Sequence, residues 1–252
     1  MRNIMQNISK RILELILCFV FLSGLSSQLA AENIKWGTFA LYEHASKKVI
    51  LDGVSTRYGI GAAGIEAQIT STDKTKSISI KYGLGYHPAY SITSSGTEFT
   101  GPVEGQLFEA AIQSKILSSL FDETQLQLKY NNRHVYSNNL SGVRGGINYI
   151  STTDAKMQGY ELTISKGFSI SDTTLVTPFI GINSWNLQAD GNAYSSNLAI
   201  KKKVKGSNVD PLMGFKLQTQ ILQKDINLGL TYRPIKADNL VETLEFYTAL
   251  YF

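Results

Sequence analysis

The last nine residues, LEFYTALYF (Leu244–Phe252), carry the reading on which the fold depends. At a period of two, Leu244, Phe246, Thr248, Leu250 and Phe252 share one face, and Glu245, Tyr247, Ala249 and Tyr251 share the other. Successive side chains of a β-strand point to opposite sides, so this alternation belongs to a strand and not to a helix. One face is apolar and the other is mixed. Chain ends that nothing ties down fray, so a terminus this rich in rings is expected to be paired and covered.

The same alternation recurs upstream. KSISIKYGLGYH (76–87) sets Ile78, Ile80, Tyr82, Leu84 and Tyr86 against Ser77, Ser79, Lys81, Gly83, Gly85 and His87. TQLQLKYNNRHVY (124–136) and DINLGLTYR (225–233) repeat it, each with one greasy face. About ten strands are predicted, near residues 33–44, 55–70, 75–87, 104–117, 123–136, 155–168, 173–188, 210–222, 225–234 and 241–252. The count becomes eight or twelve if a hairpin has been split or merged. TPFIGINSWN looks equally apolar on both faces, and YGIGAAGIEA leaves its facing undecided.

The connections alternate in length. STDKT, SSLFDE, SISD and QKD are short polar turns, whereas 88–103, 137–154 and 189–209 read as long, mobile loops rich in Gly, Ser and Asn. A soluble sandwich has no reason to carry its long loops at one end only. A transmembrane barrel has strands of about ten residues, turns trimmed on one side, long loops on the other, and aromatic girdles. Tyr42, Tyr58, Tyr86, Tyr136, Trp185 and Tyr232 are expected in a girdle at the looped end, and Trp36, Phe121, Phe168 and Phe252 in one at the trimmed end. The fold expected is all-β, a transmembrane antiparallel up-and-down β-barrel over residues 32–252.

Residues 1–31 read as a secretory signal peptide. Arg2, Lys10 and Arg11 precede the apolar run Ile12–Leu25, and small residues follow, with cleavage at Ala31 or Ala30. The only cysteine, Cys18, lies within it, so the mature chain is expected to have neither disulfides nor thiol chemistry. The leader takes three positive charges and one negative from the formal +4, leaving +2, too little to imply nucleic acid.

The terminal strand resembles the closing strand of Gram-negative outer-membrane β-barrel proteins, which end on Phe with apolar residues at every second position. Leu244, Phe246, Leu250 and Phe252 match that pattern. The resemblance implies that these four form an assembly signal read by the barrel assembly machinery, with residence in the bacterial outer membrane. Ten-stranded relatives would include omptin proteases and Opc-type adhesins, and no residues choose between them.

By parity, Glu66, Lys81, Glu109, Lys115, Lys129, Arg133, Glu161, Lys216, Arg233 and Glu245 point into the lumen. A barrel of this size is little wider than the eight-stranded kind that side chains fill. Such charges are expected to pair into a plug; the other reading is the lining of a narrow channel. In 189–209, Lys201, Lys202, Lys203 and Lys205 make a basic stretch suited to lipopolysaccharide or another anionic surface ligand. His44, His87 and His134 lie near the looped ends, none within two residues of an Asp, and the Asp-His and paired-Asp signature of an omptin site is not evident. No cofactor or metal site is expected. The first functional reading is a structural or adhesin-like surface-binding barrel in contact with outer-membrane lipid, the second a porin-like channel, the third a hydrolase.

Overall fold

A computed structural model describes residues 34–56, 61–116, 124–195 and 199–252. The leader, both cleavage positions, Cys18, Tyr58 and Phe121 lie outside the described residues. Thirteen strands form one antiparallel sheet: β1 (Ile34–Ala45), β2 (Val49–Leu51), β3 (Val54–Thr56), β4 (Gly61–Thr70), β5 (Lys76–Ser94), β6 (Thr97–Lys115), β7 (Thr124–Arg144), β8 (Ile147–Lys166), β9 (Phe168–Ser171), β10 (Thr174–Tyr194), β11 (Ala199–Ile221), β12 (Lys224–Lys236) and β13 (Leu240–Tyr251). Ten of them make the closed ring β1-β4-β5-β6-β7-β8-β10-β11-β12-β13, in which each neighbour pair is antiparallel.

The terminal strand closes that ring. Its register on β1 runs from Gly37↔Tyr251 to Ala45↔Thr243, and Phe252 N donates to Trp36 O at 3.0 Å. Ala249 and Tyr251 are buried inside, while Leu250 and Phe252 face outward. A closed ring leaves no edge of unpaired backbone groups, which lipid would not tolerate.

Of the three stretches expected to be loops, the described residues are mostly strand. Six strands, β5, β6, β7, β8, β10 and β11, run 19 to 23 residues, while β1, β4, β12 and β13 run 10 to 13. The physical reason lies in the turns. Ser95–Gly96 and Gly145–Gly146 have φ of 50°, 76°, 56° and 78°, the left-handed pairs that a two-residue hairpin turn needs for continuing strand twist. A span needs about ten residues, so these six strands continue about ten residues beyond it.

Those long strands change sides chemically partway along. On β10 the outward positions read Val176, Pro178, Ile180, Ile182 and then Ser184, Asn186, Gln188, Asp190. On β8 they read Ile164, Leu162, Tyr160 and then Gln158, Lys156, Asp154. Asn132, Gln158, Asn186 and Ser207, outward polar residues at this change, are register neighbours. Beside that row stand the outward rings of Phe108, Tyr130 and Tyr160, with centroids 6.4 and 5.3 Å apart in sequence. These three are the aromatic belt of this wall. Trp185, expected in it, points inward and is 5% exposed, and Tyr136 stands in register with Glu104 and Asp154. In TPFIGINSWN the undecided facing resolves with Phe179, Asn183 and Trp185 inside and Ile180 and Ile182 outside.

Where β1, β4, β12 and β13 stop short, the hairpin β2–β3 completes the wall. β3 pairs with the extended part of β5, Val54↔Ser94 to Thr56↔Ile92. β2 packs on β11 through Leu51, beside Val204 and so close to Gly206 that a Cβ there would lie 2.7 Å from Leu51 Cδ2. The β12–β13 turn holds the hairpin from below: Ile50 N donates to Asn239 Oδ1 at 2.7 Å, and Asp52 N to Asp238 Oδ2 at 2.6 Å.

Candidate functional site

Inside the ring, the inward faces of nine strands carry one connected layer of charge. Arg233 on β12 donates through Nη1 to Glu245 at 2.9 Å and through Nη2 to Glu161 at 2.9 Å, and its guanidinium lies 3.5 Å from Glu43. Arg133 on β7 pairs with Glu43, with Glu245 at 2.8 Å and with Glu109 at 3.8 Å. Lys129 reaches Glu161 at 2.7 Å and Glu109 at 3.7 Å. Lys81 lies 3.8 Å from both Glu66 and Glu109, and its ammonium sits 3.7 Å from the centre of the Tyr247 ring. The Tyr247 hydroxyl donates to Glu66 in turn. Across the lumen, Lys216 on β11 donates to Gln127 at 3.1 Å.

The layer is balanced: Glu43, Glu66, Glu109, Glu161 and Glu245 face Lys81, Lys129, Arg133, Lys216 and Arg233. Each of the carboxylates is under 6% exposed. Charges so far from water persist only when paired and hydrogen-bonded. Nine of the ten lumen residues read from the sequence stand in this layer; Lys115 does not, because it faces Gln125 near the end of β6 that lies on the side of the termini. Glu43 was missed, although the alternation that puts Tyr42 outside puts Glu43 inside. So was Asp210, buried in the wall, where Oδ2 accepts from Trp185 Nε1 at 2.6 Å and Oδ1 from Asn208 at 3.1 Å.

The layer divides the interior into two chambers of opposite character. On the side of the termini, a polar chamber of about 140 Å³ is lined by Gln68, Ser79, Gln113, Gln125, Gln127 and Gln218. On the far side, a chamber of about 150 Å³ has the Glu43–Arg133 pair as its floor and Leu51, Val54, Val103, Tyr149, Leu187 and Val204 among its walls.

The four lysines lie on strand β11 rather than in a loop, and alternation separates them. Lys201, Lys203 and Lys205 face outward, Lys203 at 3.4 Å from Asp190, whereas Lys202 shares the inward face with Val204 and lines the apolar chamber. One histidine meets an aspartate: His134 Nε2 lies 3.2 Å from Asp154 Oδ1. Pairing of β7 with β8 brings them together across twenty residues of sequence. Both face outward, and the same carboxylate has Lys156 Nζ at 4.0 Å. Among the described residues no three His, Cys, Asp or Glu are grouped to hold a metal ion.

No family model and no curated protein matches the chain. Among solved structures it is similar to the translocator domain of autotransporter NalP from Neisseria meningitidis, at 8% identity over 97% of both chains, with a TM-score of 0.55. It is similar too to the outer membrane protease OmpT from Escherichia coli, at 9% identity over 88% of this chain and 96% of that one, with a TM-score of 0.56. At these identities the likeness is one of fold, that of the outer-membrane β-barrels.

Proposed function

We propose that the protein is an integral barrel of the bacterial outer membrane that acts at the cell surface by binding, its lumen closed to solutes. In this reading the leader is cleaved at Ala30 or Ala31, the termini face the periplasm, and the six long strands rise outside the cell. Leu244, Phe246, Leu250 and Phe252 serve as the signal for the assembly machinery. Lys201, Lys203 and Lys205, beyond the apolar band on β11, meet the phosphates of lipopolysaccharide. No catalytic step is assigned.

The observation that carries the reading is the charge-balanced layer. It joins eight strands by ion pairs and is braced across the lumen by the Lys216–Gln127 hydrogen bond. An ion crossing it must break pairs between groups removed from water, which costs about 3–5 kcal/mol for each partner lost. Planar-bilayer recording of the refolded mature protein tests this. A folded barrel that stays silent over hours at ±100 mV, a window set by the ~2.3 kcal/mol that 100 mV supplies per charge, is the expected result. Discrete openings in the unaltered protein, reshaped by Glu109→Gln, would make the lumen a channel instead.

A further inference from the structure

We infer that the far chamber is a binding site for a small anionic amphiphile, a short acyl or single-ring molecule carrying one carboxylate or phosphate, held tail inward. The inference rests on the closed-barrel reading only for the chamber's being a dead end; the walls and charges argue for themselves.

Three observations carry it. First, the polarity of the long strands is inverted there. Within the apolar band the interior is charged and the outside greasy, but beyond it the inward positions turn apolar while most outward ones turn polar, Val143, Ile147, Ile150 and Tyr194 near the strand tips excepted. β6 passes from Glu109 to Leu107, Val103 and Phe99, and β10 from Asn183 to Leu187, Ala189 and Ala193. Outward polarity keeps this section soluble in water, yet solubility does not require an apolar interior with room left in it. Second, the wall of that section consists of six long strands and the two of the hairpin, eight in all, the number that encloses one small ligand. A volume of about 150 Å³ is left unfilled. A cavity of ~150 Å³ with apolar walls stays dry and takes a benzene-sized guest, so a six-carbon tail is the scale it accepts.

Third, the charge of the lining is lopsided. Glu43 is matched by Arg133 at the floor, and two further cations, Lys202 and Arg144, line the chamber, where Glu43 is the only carboxylate among the described lining residues. Lys202 stands one inward position beyond Val204 on β11, and Arg144 ends β7 at the hairpin turn, so both sit toward the mouth. Apolar walls between a floor whose charges are paired with each other and a cationic rim suit a molecule with its charge at one end. A neutral guest would leave the rim without a purpose, and a cation would be repelled by it.

Saturation-transfer NMR on the full mature barrel in nanodiscs tests the proposal, with hexanoate, hexanol and hexylamine as probes. Hexanoate is expected to bind saturably and to compete with itself, with hexanol at least tenfold weaker and hexylamine not bound. Lys202→Gln combined with Arg144→Gln should weaken hexanoate at least tenfold and leave hexanol unchanged. Ala155→Phe and Ala189→Phe, made separately at half-buried lining positions so that one folding failure does not decide the matter, should each abolish binding of both. Absence of saturable hexanoate binding in the unaltered barrel would overturn the proposal. So would equal binding of hexanol and hexanoate, which removes the anionic head, or binding that survives both phenylalanines, which places the guest elsewhere. A conducting barrel that still binds hexanoate would refute closure and keep the chamber, whereas a silent barrel without binding would do the reverse.

Discussion

Replacing Arg233 by methionine keeps most of the side-chain volume and takes one cation out of a layer with five charges of each sign. Its two hydrogen bonds at 2.9 Å, to Glu161 and Glu245, both end on carboxylates. Hydrogen bonds to charged groups contribute about 1.5–3 kcal/mol each, which gives roughly 3–6 kcal/mol for the two. Breaking a buried pair from one side costs about 3–5 kcal/mol. The residual partners decide where in that range the variant falls. Glu161 keeps Lys129 at 2.7 Å and Asn131 at 3.4 Å, and Glu245 keeps Arg133 at 2.8 Å, so neither acid is stranded and about 4 kcal/mol is expected. Urea titration in lipid vesicles, followed by tryptophan emission and by the electrophoretic shift of the folded barrel, measures it. Adding Glu161→Gln restores neutrality with four charges of each sign, so the double variant should fall short of additivity by about 1–3 kcal/mol. A loss under ~1 kcal/mol in the single variant, or strict additivity in the double, would show that these charges do not act as one layer.

Three further outcomes follow from the geometry. Ile182→Arg, inside the apolar band, should cost about 2–4 kcal/mol in the same titration, whereas Gln188→Arg, six residues along on the same outward face, should stay within ~0.5 kcal/mol; equal costs would move the lipid boundary. Exchanging Lys201, Lys203 and Lys205 for serine removes about 1 kcal/mol per lysine of attraction to an anionic surface, less what Lys203 already spends on Asp190, so lipopolysaccharide binding should weaken at least tenfold and hexanoate binding should not change. In the turn between β4 and β5, the Ser71 hydroxyl, the Thr75 amide and the Thr75 hydroxyl donate to Asp73 and hold its carboxyl at about 2 against an ordinary 3.8. A folded-state value below the unfolded one stabilises the turn above pH 3.8, and that contribution is lost as pH falls to about 2; a carboxyl-carbon titration with its midpoint near 3.8 would remove it.

Most of the barrel was legible because lipid imposes a simple rule. An outward greasy face at every second residue, as at Ile78 to Tyr86, can only alternate with an interior, so Glu66, Lys81, Glu109 and their neighbours could be placed by parity. The reading failed where that rule lapses. Beyond the band the apolar positions pass to the inward face, so in 137–154 and 189–209 the alternation changes phase and no longer continues the greasy outward stripe that marks a lipid-spanning strand. A second signal was present in the turns. Ser95–Gly96 and Gly145–Gly146 flanked by alternating residues are hairpin signatures, and they mark the paired strands that composition alone reads as loop. Trp185 was misplaced for the same reason: at the crossover between the two regimes, a ring near the end of a span looks like a girdle residue whichever way it points. What no single stretch could reveal is the meeting of β2 with β11, which depends on Gly206 leaving space for Leu51 across about 150 residues of chain.

The inversion of polarity also explains why the extra hairpin is needed. A barrel wall within lipid must be complete, and the ten strands meet that demand where all of them are present. Above the band, four strands end and six continue, which would leave an open trough with apolar side chains such as Val103, Leu187 and Val204 facing water. Covering the gap could have been done by lengthening β12, β13, β1 and β4. Instead the β1–β4 connection turns back as two short strands, hydrogen-bonded to β5 on one side only, with side-chain packing alone on β11. Main-chain pairing on both sides would make a permanent wall. Packing on one side, centred on Leu51, makes a seam that a few apolar contacts hold shut.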